Sequence, residues 1–387
     1  MKILFTSYFP LGIGGAEVSA LSLATGLKSL GHEVHFASSG EYTGFVNHKL
    51  KSISKLHSFE LTNSYFYNVF SRLIRKENYD IIHSHDYLTA PAAISAAKDA
   101  RIKSVTHYRD YWFCCSIASC MKPNGKECIT CSYAKLISCR PAKSLPWYFY
   151  KWNYIRSIRK LLRNADAKIA ISRYVAKKLE IAGIDRNVHV VHNCLDIREF
   201  YDAKPGKFRK RFGDKIVVTF IGSLNYHKGI MSLLDAFRKA ASMDKRLVLV
   251  VAGDGPLKDK INGGNVILLG RLPKDDLPSL YKASDIIVFP SVWQEPFGRI
   301  VIEAMASGKP IIASKVGGIL DTVINNKTGY LLSPNDTDAW ALKIGSLAKS
   351  KKLRDQLGRN ALRLSVNYDE KTIAKKVESV YLRMTKM

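Results

Sequence analysis

Short apolar stretches alternate with helix-length segments along this chain, and the alternation happens twice. Lys2–Ser7 is an apolar run, followed by the glycine turn Gly12-Ile13-Gly14-Gly15 and a helical pattern from Ala16 to Leu30 that stops at Gly31. Val34–Ala37, Asp80–His83, Ile102–Thr106, Ala167–Ile171 and Val188–Val191 continue the series. After a polar interval a second series begins, with Ile216–Ile221, Leu247–Ala252, Val266–Leu269, Ile286–Pro290 and Pro310–Ala313. Strands that read as apolar runs between helices belong to parallel sheets covered on both faces. The expectation is an α/β chain with two Rossmann-like domains. The first spans 1–196 and the second 197–369, with a helix over 370–387 packing back on the first. The polar stretch Asp196–Lys215, with Pro205 and Gly206 inside it, reads as the linker.

The chain has 387 residues, 47% of them apolar and 24% charged, enough for two or three ordinary domains and unlike a disordered chain. It holds no apolar run of about 18 residues, so no membrane-spanning helix is expected. Ile3-Leu4-Phe5 is too short for a signal peptide and is followed by Pro10 and Gly12, so a cytoplasmic protein is expected. The formal charge of +27 favours polyanions: nucleic acid, an anionic membrane face or phosphorylated substrates.

In open parallel sheets, ligands bind at the carboxyl ends of strands, so motifs on those ends carry the functional argument. The foremost is Glu295-Pro296-Phe297-Gly298-Arg299-Ile300-Val301-Ile302-Glu303, which follows a strand and opens a helix. Eight helical positions would separate the carboxylates by about 12 Å. That exceeds the roughly 5–9.5 Å of glycosidase acid/base pairs, so the two acids suit opposite ends of one long ligand. The glycine turn before Glu17 can bring backbone amides to a phosphate, although it is not a full dinucleotide fingerprint. Lys228, in Gly222-Ser223-Leu224-Asn225-Tyr226-His227-Lys228-Gly229, stands where a diphosphate could be neutralised. His83, His85 and His107 each follow a short strand of the first half. Asp336-Thr337-Asp338 precedes a helix and reads as a cap rather than a metal motif.

Taken in order, these segments resemble glycosyltransferase family 4, of GT-B fold. The resemblance rests on Gly14-Gly15-Ala16-Glu17, Asp80-Ile81-Ile82-His83-Ser84-His85-Asp86, Thr106-His107, Val191-His192-Asn193, Lys228-Gly229, Gly253-Asp254-Gly255-Pro256, Gly270-Arg271, the two-glutamate segment and Ser307-Gly308-Lys309-Pro310. It implies a metal-independent, retaining hexosyltransferase that uses a UDP- or GDP-sugar as co-substrate, needs no cofactor, and holds the donor in a cleft between its domains. The acceptor would be a glycan or a lipid-linked sugar, in cell-surface polysaccharide, glycolipid or glycoprotein synthesis. It further implies that Glu295, with the backbone of Phe297 and Gly298, holds the donor sugar, and that Glu303 holds the ribose. Lys228, with the amides of Gly14 and Gly15, would receive the diphosphate; Arg271 would border the base, and His107 would face the reacting sugar. Two departures stand out: Ser223 replaces an arginine that the family often carries, and Asn193-Cys194 replaces an Asn-Gly pair. The alternatives are a sugar-nucleotide epimerase on the same fold, or a basic nucleic-acid-binding protein. The second lacks any recognised nucleic-acid motif, so no nucleic-acid partner is expected.

Two features stand apart from that assignment. Six of the seven cysteines fall between Cys114 and Cys139, with one C-x2-C at Cys128 and Cys131. A structural zinc and a loop of reduced thiols both fit that spacing. Trp147–Arg163 interleaves aromatic and basic residues, which suits either peripheral binding to an anionic membrane or a helix with its aromatic face in the core.

Overall fold

The structure is a computed structural model that describes residues 1–10, 15–53, 58–122, 127–139 and 144–385. The chain divides into two compact units, Met1–Cys194 with Glu370–Met387, and Leu195–Asp369.

In the first unit, β1 (Lys2–Thr6), α1 (Gly15–Ser29), β2 (Glu33–Ser38), β3 (Val46–Lys49), α2 (Phe59–Glu77), β4 (Ile81–Ser84) and α3 (Ala90–Ala100) lead to β5 (Lys103–Tyr108). α4 (Tyr133–Cys139), α5 (Leu145–Arg163), β6 (Ala167–Ala170), α6 (Arg173–Ile181) and β7 (Val188–Val190) follow. The strands form one sheet in the order β3-β2-β1-β4-β5-β6-β7. All its pairs are parallel. Polar-looking β3 has no apolar run to announce it and joins the edge through its backbone. α2 is closed at both ends by local chemistry: the Ser58 side chain accepts from the Leu61 amide, and Asn78 takes the left-handed conformation at φ 53°.

In the second unit, α7 (Ile197–Tyr201), α8 (Gly206–Phe212), β8 (Ile216–Ile221), α9 (Ile230–Met243), β9 (Leu247–Ala252) and β10 (Val266–Gly270) come first. α10 (Leu277–Ala283), β11 (Ile286–Phe289), α11 (Arg299–Ala306), β12 (Ile311–Ser314), β13 (Gly329–Leu332), α12 (Thr337–Lys349) and α13 (Lys351–Ser365) complete it. Its sheet runs β10-β9-β8-β11-β12-β13, again all parallel. Every residue of β8 and β9 is buried, as strands covered on both faces must be. α14 (Glu370–Thr385) returns to the first unit, where Ile373, Val377 and Tyr381 share a core with Leu23 and Leu27 of α1.

The segment 196–215 is not a linker. It carries α7 and α8, and Phe200, Phe208 and Phe212 are each less than 5% exposed. Three phenylalanines spaced through polar residues bury one helical face against α10, and charge density along the sequence hid that face. Asp336 caps α12 by accepting from the Ala339 amide at 3.0 Å, while Asp338 pairs with Lys239 at 2.7 Å. Among the described residues, no helix is long and apolar enough to cross a membrane.

Candidate active site

Both sheets reverse their strand order once, between β1 and β4 and between β8 and β11. Such switch points open a crevice at the strand ends, because neighbouring crossovers leave on opposite faces. In the second unit the loops after β8 and β11 meet there. The Val292 amide donates to His227 O at 2.9 Å, which ties the loop after β11 to the one after β8. Lys228 ends a short 3₁₀ turn whose first amide positions are organised by Asn225, which accepts from the Lys228 amide at 3.2 Å. Gly229 follows at φ 71°, and a Cβ there would sit 1.9 Å from Pro290 O, so only glycine lets the two loops close.

Glu295 is 5% exposed and is held by three donors on a single oxygen. Its Oε1 accepts from Lys228 Nζ at 2.7 Å, from Ser291 Oγ at 2.7 Å and from Trp293 Nε1. Three donors on one oxygen fix the carboxylate plane and keep its charge compensated while it is out of water. The loop around it is clamped as well. The Gly317 amide donates to Gln294 Oε1 at 2.6 Å, and the Gly318 amide to Glu295 O at 2.7 Å. Burial, then the Lys228 charge, pushes the neighbouring His227 below the usual imidazole range, so it is neutral at pH 7.

Glu303 lies on α11, whereas Glu295 precedes that helix, which starts at Arg299 after Gly298 at φ 85°. Glu303 Oε1 accepts from Arg299 Nε at 2.9 Å, and Oε2 from the Tyr281 hydroxyl at 2.8 Å. Burial, then the charge of Glu303, pushes Glu199 on α7 above the usual carboxylate range. The two glutamates therefore have separate donor sets and do not form an acid/base couple. Phe297 is 2% exposed beside Tyr368, and Arg271 is exposed just past β10. Ser291 and Trp293 escaped the sequence reading as Glu295 partners, as did Tyr281 for Glu303. Nothing local to a serine, a tryptophan or a tyrosine marks it as a carboxylate's donor.

The first unit gathers imidazoles. His83 and His107 lie within β4 and β5 rather than after them, and only His85 follows its strand. The parallel ladders continue through these polar positions, since the pairing is made by backbone groups. His83 stacks on His107 at 5.4 Å and 6°, and on His85 at 4.4 Å. Burial holds all three well below the usual range, and Arg109 depresses each further. Arg109 Nη2 lies 3.2 Å from His85 Nδ1 and 3.5 Å from His107 Nδ1, and Nη1 donates to Asn193 Oδ1 at 2.5 Å. A guanidinium only donates, so both Nδ1 atoms accept and the protons of His85 and His107 sit on Nε2. The Nε2 atoms of His83, His85 and His107 are all buried without a hydrogen-bond partner among the described residues. The three imidazoles are also a group whose ligand atoms lie within 4.8 Å of one another. The Arg109 charge on two of those rings works against a dication there.

Asp86 holds the loops at this strand end by accepting from the amides of Tyr8, Leu88 and Thr89. Glu17, on α1, is buried with Oε2 unpartnered among the described residues. Gly15 is the first residue of α1, and Gly14 lies outside the described residues.

The chain is similar to known proteins. The family profile for glycosyl transferases group 1 matches residues 204–364, and that for glycosyltransferase family 4 matches residues 13–199. A 42.6 kDa protein of the cps region of Klebsiella pneumoniae is 30% identical over 348 residues, covering 82% of this chain and 85% of that protein. This chain belongs to glycosyltransferase family 4. The family 4 enzyme is also 26% identical to the N-acetyl-α-D-glucosaminyl L-malate synthase of Bacillus anthracis over 413 residues, 98% of this chain and 96% of that one. HepE of Anabaena, solved in complex with UDP, shares the GT-B fold at a TM-score of 0.75 and 20% identity, with both chains fully covered. A further structure of HepE with UDP-glucose superposes at 0.73.

Proposed function

We propose that this glycosyltransferase moves a hexose from a UDP- or GDP-sugar to a glycan or lipid-linked acceptor in the synthesis of a cell-surface polysaccharide or glycolipid. Transfer keeps the anomeric configuration and requires no metal. The observation that carries the reading is Glu295 Oε1, fixed by Lys228, Ser291 and Trp293 at the switch point of the second sheet. A carboxylate held in this way accepts hydrogen bonds from sugar hydroxyls, aided by the backbone at Phe297 and Gly298. Lys228 supplies positive charge to the diphosphate. Glu303, oriented by Arg299 and Tyr281, accepts from ribose, while Arg271 borders the base. By the family resemblance, Gly14 and Gly15 serve the phosphates and His107 the reacting sugar. Stabilisation of the departing nucleoside diphosphate by fixed positive groups is then the main catalytic contribution. Solved relatives with UDP and UDP-glucose support a nucleotide-sugar donor.

Peripheral membrane binding through Trp147–Arg163 belongs to the same proposal. Trp152, Tyr154, Ile155, Ile158 and Leu162 of α5 point into the core. Trp147 is 50% exposed, and Arg156, Lys160 and Arg163 are exposed too. Only the first turn of the helix therefore offers an aromatic ring to a bilayer, with cations farther along it.

The test begins with a thermal-shift screen of nucleoside diphosphates and their sugars. Turnover of the best donor follows, with and without a chelator. Glu295→Gln should bind the nucleotide and lose roughly 10²–10³-fold in kcat/KM, the scale of removing one preorganised charged contact. Wild-type turnover in that variant, or no binding of any nucleoside diphosphate, refutes the assignment. NMR of the product's anomeric proton reads the stereochemistry. Sedimentation with anionic against zwitterionic vesicles, and with Trp147→Ser, reads the membrane proposal.

A further inference from the structure

Three segments far apart in sequence meet around Phe297. The first is 294–298, the loop after β11 that carries Glu295. The second is the 3₁₀ turn Gly317–Asp321 after β12, and the third is the 3₁₀ turn Val366–Tyr368 after α13. The first two interlock through backbone. The Gly317 amide donates to Gln294 Oε1, and the Gly318 amide to Glu295 O. A Cβ on Gly317 would lie 2.2 Å from Glu295 O, and one on Gly318 would lie 2.3 Å from Pro296 O. A side chain at either position would push the loop away.

The third segment is where the chain changes units. It enters the second unit at Leu195 and leaves it after Asp369. These two crossings are joined: the Leu195 amide donates to Tyr368 O at 3.1 Å, and Leu195 forms a parallel bridge with Asp369. Leu195 and Tyr368 are both buried. Tyr368 touches everything that meets here. Its carbonyl takes the Leu195 amide, its hydroxyl donates to Asp321 O at 3.2 Å, and its ring meets that of Phe297 at 6.1 Å and 61°. An edge-to-face ring contact and a hydroxyl bond are both directional, so the ring cannot turn or shift without losing one of them.

We propose that Tyr368 is a positioning residue for the donor sugar, fixing the loop 294–298 and tying its shape to the paired crossings at Leu195 and Asp369. The inference rests on the reading of Glu295, Phe297 and Gly298 as the donor-sugar loop. Where a chain crosses between domains, changes of backbone angle are absorbed by a few residues at element ends. Here a change of angle at Asp369 moves Tyr368, and Tyr368 bears on both Phe297 and the Gly317–Asp321 turn. By reciprocity, a sugar held by the loop favours one arrangement of the crossings. Lys228 and Glu303 stand on other segments, so the contacts they make to the nucleotide do not pass through Tyr368. Loss of Tyr368 therefore costs the sugar and spares the nucleotide.

The experiment compares wild type with Tyr368→Leu and Tyr368→Phe, using UDP and UDP-glucose, or GDP and GDP-glucose if GDP is the nucleotide that binds. Titration calorimetry reads affinity for the bare nucleotide. Slow transfer of glucose to water reads activation of the sugar without an acceptor. Tyr368→Leu should bind the nucleotide within about twofold of wild type yet hydrolyse the nucleotide-sugar about 10–100-fold more slowly, the scale of a misplacement of up to about 1 Å. Tyr368→Phe keeps the ring and should be the milder of the two. Hydrogen exchange reads the link to the crossings. In wild type the nucleotide-sugar should slow exchange across 294–298 and at the Leu195 amide; in Tyr368→Leu the slowing at Leu195 should disappear. If Tyr368→Leu does not fold, the same comparison is made on Tyr368→Phe, where the slowing at Leu195 should be reduced. Hydrolysis at the wild-type rate in Tyr368→Leu, equal losses of nucleotide affinity and hydrolysis, or no slowing at Leu195 in wild type would each overturn the proposal. Failure of the donor reading looks different: wild type then binds neither nucleotide, or Glu295→Gln hydrolyses the nucleotide-sugar as wild type does, and the inference falls with it.

Discussion

The Lys228–Glu295 pair can be tested by removing either partner and then both. The Nζ–Oε1 distance is 2.7 Å, and the side chains are 21% and 6% exposed. Breaking a fully buried pair costs about 3–5 kcal/mol, and breaking an exposed one about 0–1. A pair with one partner buried and the other one-fifth exposed falls between, at about 2 kcal/mol for Lys228→Met. The cost arises from the Glu295 charge, which keeps only Ser291 and Trp293 as donors. For a domain of 150–250 residues each kcal/mol shifts Tm by about 2–4 °C, so the single variant should melt about 4–8 °C lower. Adding Glu295→Gln removes the stranded charge and should recover more than half of that loss, a coupling that a double-mutant cycle reads directly. Differential scanning calorimetry of the four proteins supplies the melts, and titration with nucleoside diphosphate supplies the function. Both Lys228→Met proteins should bind the nucleotide more weakly regardless of their stability. If Lys228→Met melts with wild type, or the double variant melts below both singles, the pair is not the organising interaction of the site and the reasoning fails.

Three further outcomes follow from the same structure. Arg109→Met removes the donor to His85 and His107 Nδ1, so the His107 proton should redistribute between its nitrogens; its pKa should rise, yet stay below 6.5 because burial is the larger cause. Long-range ¹H–¹⁵N NMR of the imidazoles reads this, and an unchanged tautomer would rule out a positioning role for Arg109. Lys168 is wholly buried on β6, donates to Ala165 O at 2.8 Å, and is pushed down to about 8 by burial. A lowered lysine pKa means that the fold binds fewer protons than the unfolded chain between about pH 8 and 10.5, so this residue's cost is full below 8 and fades as pH rises. Lys168→Met should therefore stabilise by about 2–3 kcal/mol at pH 7 and by progressively less toward pH 10.5; a gain independent of pH would refute it. Gly298→Ala places a Cβ 2.2 Å from Ile319 Cδ1 at φ 85°, and should cost about 1–2 kcal/mol with a larger loss of donor turnover than of stability. Equal losses in the two assays would show that the strain does not reach the site.

The alternation of apolar runs and helical segments determined the architecture by itself, because a strand buried on both faces reads as a largely apolar run and a parallel neighbour must be reached by a crossover. The order of motifs determined the family, and the strand-end positions of Lys228, Glu295 and the glycine turn followed from the alternation. What escaped was whatever a local pattern does not encode. α7 and α8 bury one phenylalanine face apiece under a polar composition, and β3 joins its sheet through backbone hydrogen bonds that need no apolar signature. Only the tertiary structure decided that Ser291 and Trp293 complete Glu295, that Tyr281 from α10 holds Glu303, and that one arginine sets the protons of two histidines. Those partners lie far apart in sequence or carry no chemistry of their own. They become functional because burial in a sheet's strand-end loops leaves each carboxylate and imidazole dependent on whichever donors the fold brings to it.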